Sequence, residues 1–285
     1  MLVVLRDAWA TVVPDRKDRH GPLPPLMLAL TVVTGLVDAF SYLGLGHVFV
    51  ANMTGNVVFS GFAIAGAAGF SLAASLAALA AFAVGALLGG RVAHGARAHR
   101  GRVLHLALVV ETVLVLAAYV IAQAATTPYA GTSQYALIAL LGLAMGVQNA
   151  AARALAVPDL TTAVLTLTIT GIASDSRAAG GSGSKAGRRL LSTAAMFSGG
   201  LVGAVTVLHG GPALPLLFAA VLLAAATIVA FTLTRSDAAW TDLHRRRQWP
   251  PDVRRRPRPV RSGEGRRRGG RFRPSRPLTI VVRLA

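Results

Sequence analysis

The apolar residues of this chain fall in long, nearly unbroken blocks rather than in the one-sided stripes of a helix resting on a soluble core. Blocks at 26–46, 70–91, 103–125, 135–157, 190–208 and 214–234 are each long enough to cross a bilayer as a helix, which takes about 20 residues, with about 17–25 tolerated. A helix that is apolar all round belongs in lipid or in a deep core. Two shorter blocks, 53–69 and 160–174, interrupt the series. Each is led by a polar knot: Asn52-Met53-Thr54-Gly55-Asn56 for the first, Val157-Pro158-Asp159-Leu160-Thr161 for the second.

The two knots are related by a fixed offset of 107 residues. At that offset Gly142-Leu143 repeats Gly35-Leu36, Asp159 falls on Asn52, Thr161 on Thr54 and Val164 on Val57. Such self-similarity marks an internal repeat. Gly85-x-x-x-Gly89 also recurs, as Gly199-x-x-x-Gly203, now at an offset of 114. The extra residues fit most simply into the Gly/Ser-rich stretch Gly180–Gly187. Small residues spaced by four let helices approach closely in lipid, so close packing is the expectation for both pairs.

Charge decides how the blocks are threaded. The net charge is +18, but from Arg245 onward 15 Arg face only Asp252 and Glu264, so +13 belongs to the tail. Lys and Arg stay preferentially on the cytoplasmic side of a membrane. Arg91, Arg97, Arg100 and Arg102 mark one loop as inside, and Arg177, Lys185, Arg188 and Arg189 mark another. Loops Thr126–Gln134 and His209–Ala213 carry no Lys or Arg and belong outside. With the first basic loop inside, two crossing short blocks would put residues 175–189 and the Arg tail outside. If neither crosses, every basic loop is inside. The expectation is therefore an all-α membrane protein with six transmembrane helices and two short re-entrant half-helices. Each repeat then holds three crossings and one re-entrant piece, which makes the repeats inverted, as in many secondary transporters. The expected organisation is a cytoplasmic lead-in 1–25, repeat 26–125, external loop 126–134, repeat 135–234 and a disordered basic tail 235–285. Both termini lie in the cytoplasm. Leu2–Leu5 is too short for the apolar core of a secretory signal, and Asp7, Asp15 and Asp18 break up its positive region.

A resemblance runs through the same residues. The patterns G-x-x-D-A-x-x-Y from Gly35, V-F-V-A-N-M-T-G-N from Val48, G-V-Q-N-A-A over Gly146–Ala151 and V-P-D-L-T-T from Val157 resemble the YoaK-type family. Its members are bacterial integral membrane proteins of uncharacterised activity. The resemblance covers roughly Leu26 to Leu233 and implies a polytopic inner-membrane protein, without a substrate or an active site.

Candidate chemistry gathers at the knots. Asn, Asp and Thr are preferred helix N-caps, and Pro158 makes the chain enter the second short helix extended. At membrane depth, two such N-termini facing one cavity would suit an anion or the electronegative part of a polar solute. The candidate solute-binding residues are Asn52, Thr54, Gly55, Asn56, Gln148, Asn149, Asp159, Thr161 and Thr162. Ordinary interfacial caps that bind nothing explain the same residue types equally well. Asp38 and Glu111 are carboxylates inside expected spans, where an acid costs about 2.5–3.5 kcal/mol to insert and usually lines a cavity or carries protons. Asp38, with Tyr42 one turn on and able to hydrogen-bond it, is the candidate coupling acid. The structural alternative is an ion pair between Asp38 and Arg153. Glu111 has an apolar repeat counterpart and a less defined role. His105 and His209 fall near membrane ends and read as interfacial.

Several classes are disfavoured. The chain is 54% hydrophobic and has no cysteine, so disulfides, thiolate metal sites and thiol nucleophiles are unavailable. It has no H-E-x-x-H, no G-x-S-x-G and no G-x-x-x-x-G-K-[ST], and the Gly180–Lys185 run lacks the phosphate-loop order. No enzyme activity, metal or cofactor is expected. The Arg tail, with Trp249 and Phe272 as its aromatics, has no apolar periodicity. Anionic lipid is its expected partner, and nucleic acid is disfavoured for want of stacking residues. The functional expectation is a secondary transporter or permease of a small polar or anionic solute. A passive channel and a non-transporting scaffold or sensor are the alternatives.

Overall fold

The computed structural model describes residues 2–13, 20–96, 99–158, 160, 165–174, 180, 186–235 and 239–241. Six long apolar helices carry the fold: α2 (Leu23–Gly44), α4 (Leu72–Gly95), α5 (Arg100–Ala124), α6 (Gly131–Leu155), α8 (Ala186–His209) and α9 (Leu214–Leu233). They match the six long apolar blocks of the sequence to within a few residues at most ends. Three shorter helices accompany them: α1 (Leu2–Val12), α3 (Met53–Ile64) and α7 (Leu165–Ser174). The 12 residues of α3 and the 10 of α7 extend only about 18 and 15 Å at about 1.5 Å per residue. The hydrocarbon core of a bilayer is about 30 Å thick.

The ends of the long helices follow local rules. Pro24 and Pro25 open α2, where their missing N–H groups have no intrahelical partner to lose. Ser71 caps α4, its Oγ accepting from the Ala74 N–H at 3.2 Å. The His99 ring does the same for α5 through the Arg102 N–H. Ala156 ends α6 in the left-handed conformation, φ 45°. Thr31 and Thr34 within α2 return their hydroxyls to the carbonyls of Met27 and Leu30, both at 2.9 Å. These back-bonds leave no hydroxyl donor unmet in an apolar setting.

Two glycine seams knit the bundle. Helix α4 lies along α6, and α2 lies along α8. A Cβ on Gly85 would overlap the Leu143 carbonyl, one on Gly146 the Phe82 carbonyl, and one on Gly89 the backbone of Val147. On the other seam, a Cβ on Gly199 would overlap the Val32 carbonyl, and one on Gly35 the carbonyl of Met196. The two G-x-x-x-G pairs therefore pack, as their spacing implies. Between the seams α5 lies against both α6 and α9, with Thr112 and Thr227 joined hydroxyl to hydroxyl at 3.1 Å.

Helix ends meet in two sets. At one, the buried Arg100 donates to the Leu155 carbonyl that closes α6 and to the Trp240 carbonyl beyond α9, and it contacts His20 just before α2. Arg188, near the start of α8, reaches Thr11 of α1. At the other, Gln134 of α6 donates to the Leu45 carbonyl at the end of α2, at 2.8 Å. Tyr129, before α6, packs on Phe40 of α2 at 5.7 Å.

Two features were not read from the sequence. Residues 2–12 of the lead-in form a helix, which packs on α8 and leaves Trp9 and Leu5 exposed. Ala239–Thr241, counted with the tail, make a turn in which Trp240 is buried over Gly21. The Arg-rich residues beyond 241 lie outside the described residues.

The seams yield a test. Gly85→Ala and Gly199→Ala are expected to lower the thermal midpoint of the detergent-purified protein, since each forces two backbones apart at a cost of about 1–3 kcal/mol. Gly90→Ala, facing open space, is expected to be neutral or to stabilise by up to about 1 kcal/mol through helix propensity. Equal midpoints for all three would contradict the seam.

Candidate functional site

The chain turns back on itself immediately after α2. Gly46 and His47 both adopt positive φ, 80° and 58°, and two left-handed residues in succession reverse the backbone. The eight residues from Leu45 to Asn52 then run back along α2 with Leu45, Val48 and Val50 fully buried. Helix α3 follows. Beyond it, the Gly69 carbonyl bonds the His47 ring at 2.9 Å, so the excursion ends beside the point where it began.

This returning backbone has no sheet or helix to bond. Two side chains stand in for one. The Asp38 carboxylate accepts from the Val50 N–H at 3.0 Å and the Ala51 N–H at 2.9 Å through Oδ1, and from the Asn52 side-chain amide through Oδ2. Asn56, fully buried in the first turn of α3, brackets Phe49: its Oδ1 accepts the Phe49 N–H at 3.0 Å and its Nδ2 donates to the Phe49 carbonyl. Three consecutive backbone N–H groups, of residues 49, 50 and 51, are thus met by two polar side chains. Asp38 lies six residues before the end of α2, about 9 Å along the helix.

Several expected roles change. Asn52 does not cap α3 with its side chain, because its amide is turned to Asp38. The first turn of α3 is left without a side-chain cap. Tyr42 does not hydrogen-bond Asp38; its ring stacks on Phe49 at 4.8 Å and meets His47 edge-on at 5.1 Å. The oxygens of Asp38 are occupied by the returning segment, and Tyr42 joins an aromatic cluster with Phe49, Phe59, Phe62 and Phe70. Nor does Asp38 pair with Arg153, which is exposed in the last turn of α6. Gly55 allows the Phe49 ring to approach, since a Cβ there would lie 2.6 Å from that ring. Thr54 is exposed.

The structure places Gln148 close to this arrangement. It is buried, and its Nε2 donates to Thr34 of α2 at 2.8 Å, one helical turn from Asp38, while its Oε1 has no partner. Asn149 instead returns its amide to the Met145 carbonyl of its own helix. Asp159, Thr161 and Thr162 lie outside the described residues. No group of three or more His, Cys, Asp or Glu capable of holding a metal ion occurs among the described residues. Arg100 was missed as anything but a loop charge. Nothing in the sequence sets it apart from Arg91, Arg97 or Arg102, yet it alone of the described Arg residues is buried.

Comparison with known proteins places the chain. The model of the family described as "Protein of unknown function (DUF1275)" matches residues 26–229. The chain belongs to the DUF1275 family. It is 32% identical over 150 residues to the UPF0700 transmembrane protein YoaK of Bacillus subtilis (strain 168), a match covering 53% of this chain and 65% of that protein. No solved structure matches. With six long apolar helices and a transmembrane relative, this DUF1275 protein is a multi-pass membrane protein of the YoaK type. The motif residues Asp38, Asn52 and Asn56 are the ones that hold its returning segment.

That hold is measurable. Asp38→Ala strips two backbone N–H groups of their acceptor, and Asn56→Ala strips one. Each unmet donor costs about 1–3 kcal/mol. Both variants are expected to lower the thermal midpoint and to expose residues 45–52 to limited proteolysis, Asp38→Ala the more strongly. Thr54→Ala, at an exposed site, is expected to leave both readouts unchanged.

Proposed function

We propose that this protein is a secondary transporter, a permease for a small polar or anionic solute, built from two inverted repeats in the bacterial inner membrane. The observation that carries this reading is the Asp38 clasp: irregular backbone turned back along α2 and held by one ionisable side chain. Lipid tolerates such backbone only where protein buries it or a water-filled cavity meets it. Broken segments of this kind form the binding sites of many transporters.

The arrangement of helix ends supports the threading. His20, before α2, and Leu155, ending α6, meet at Arg100, whereas the end of α2 meets the start of α6 through Leu45 and Gln134. The His47–Gly69 bond sets the end of α2 beside the approach to α4, which supports an α3 that makes no net crossing. In the second half, α6 ends at Arg100 and Arg188 of α8 reaches Thr11 of the segment preceding α2, which supports a return by α7 as well. Six crossings put the basic loops and both termini in the cytoplasm. The seams support the inversion. Under the repeat, α2 corresponds to α6 and α4 to α8, so the α2–α8 and α4–α6 seams are one contact seen twice.

In this reading Asn52, Gly55 and Asn56 shape the site by holding the returning segment, while the uncapped start of α3, with the exposed Thr54, faces solute from the first repeat. Asp159, Thr161 and Thr162 face it from the second, and Gln148 and Asn149 lie on the span between. Asp38 couples by letting go. In its charged form it grips the N–H groups of residues 50 and 51; a proton taken from the gradient cancels that charge, weakens the grip and frees the segment to move. Tyr42 anchors the turn through Phe49. The Arg tail rests on anionic lipid.

Purified protein in lipid vesicles, offered small polar and anionic solutes under an imposed pH gradient, tests this. The expected result is saturable accumulation of at least one solute, with a matching rise in thermal midpoint. Asp38→Asn, which keeps an acceptor for the backbone, is expected to fold and to lose gradient-driven accumulation by about tenfold or more, the scale of about 1.4 kcal/mol in coupling. Equal accumulation by wild type and variant would remove Asp38 from the mechanism. Flux without saturation or coupling would favour a channel. Neither flux nor stabilisation by any solute would favour a scaffold.

A further inference from the structure

The bundle contains a second buried carboxylate, and its surroundings are the reverse of those of Asp38. Glu111 of α5 is 1% exposed, and neither of its oxygens has a hydrogen-bond partner among the described residues. It continues the stripe of α5 that faces α6, for Ala107, one turn earlier, packs on Val147 and Ala151. The neighbouring Thr112 is tied to Thr227 of α9, so α5 is flanked on both sides at this level. Glu111 is enclosed, and no donor among the described residues comes to it.

The ionisable groups on the elements around it are engaged or remote. On α5 itself, Arg100 is bonded at the helix start, about 16 Å along the axis. Arg102 is exposed, and the His105 ring lies on Phe231 at 5.5 Å with its Nδ1 unpartnered among the described residues, about 9 Å from Glu111 along the axis. Tyr119 is two turns further on and accepts from Gln123. On α6, Tyr135 and Arg153 are exposed near the two ends. On α4, Arg91 is exposed and His94 bonds the Gly90 carbonyl. Helix α9 carries no ionisable residue. An ionised carboxylate here would have neither counter-ion nor donor among the described residues, and a buried charge in that condition takes up a proton instead.

We propose that Glu111 is a proton-binding site of this protein: it stands in the membrane as a neutral carboxylic acid and exchanges its proton only when the α5–α6 contact opens. The two intramembrane acids then differ in their resting state: Asp38 is charged, held by the backbone donors of residues 50 and 51, and Glu111 is protonated. The inference does not rest on the transport reading, because a neutral buried acid has a chemistry of its own.

That chemistry supplies the test. A hydrophobic carbodiimide such as dicyclohexylcarbodiimide adds to a protonated carboxyl group: the acid proton moves to a carbodiimide nitrogen, and the carboxylate oxygen bonds the central carbon. The resulting O-acylisourea rearranges to a stable N-acylurea. The full chain in vesicles of phosphatidylethanolamine and phosphatidylglycerol is treated across a range of pH, and the adduct is located by peptide mass. The expected adduct is on Glu111, absent with a water-soluble carbodiimide, and falling about tenfold per pH unit above the group's midpoint. Glu111→Gln is expected to lose the adduct while keeping the wild-type thermal midpoint. The wild-type pH profile carries the test even if that variant folds poorly. An adduct on Asp38 with none on Glu111, equal labelling by the water-soluble reagent, or no adduct at any pH would each overturn the proposal.

Discussion

A chain that turns back along a helix in an apolar setting must supply its own partners for the backbone N–H groups it buries, because apolar side chains offer none. Asp38 meets that demand. Its carboxylate takes the N–H groups of Val50 and Ala51 together, and Asn56 takes that of Phe49. Remove these acceptors and the N–H groups of residues 49, 50 and 51 are left unmet, with only the packing of Leu45, Val48 and Val50 to keep the segment in place. The turn at Gly46 and His47, the start of α3 and the aromatic cluster of Tyr42, Phe49 and Phe59 all follow from it. The same demand explains why an acid is tolerated there. Charge-assisted bonds to backbone donors are roughly twice as strong as neutral ones, which offsets the removal of the carboxylate from water.

Close packing does the remaining work, through glycine. Without a hydrophobic effect between helices in lipid, association depends on how near the backbones come and on the few polar contacts between them. The α4–α6 and α2–α8 seams bring carbonyls into the space that a Cβ would fill at Gly85, Gly146, Gly199 and Gly35. The seams leave α5 and α9 to complete the bundle with small residues and the Thr112–Thr227 contact. Arg100 closes one end by drawing together three segments that are distant in sequence.

The six spans were legible because length and apolarity alone define a helix in lipid, and the glycine seams were legible from their spacing. The polar knots were visible as features, but not in their roles. Asn52 carries the signature of an N-cap, and in water that would be its best use. Beside a buried carboxylate, its amide gains more by donating to Asp38, and local capping loses to a tertiary charge-assisted bond. Tyr42 sits one turn from Asp38, as helical spacing requires, but Phe49 offers its ring a larger contact than a single hydroxyl bond. Arg100 could not be told from its neighbours, since its burial depends on Leu155 and Trp240, which only the fold brings near. The orphaned state of Glu111 was equally hidden: the sequence marks the acid, and only packing reveals that nothing comes to meet it.

The central claim is that α3 turns back rather than crosses, and the cysteine-free chain allows it to be tested directly. Single cysteines at Val13, Ala67, Ser133 and Ser182 would be labelled in intact cells with a membrane-impermeant maleimide, then again after the cells are opened. The account predicts that Ala67→Cys and Ser133→Cys react from outside, while Val13→Cys and Ser182→Cys react only in opened cells. If positions 13 and 67 label from the same side, α3 crosses, and the clasp at Asp38 would be a helix contact instead of the anchor of a re-entrant segment.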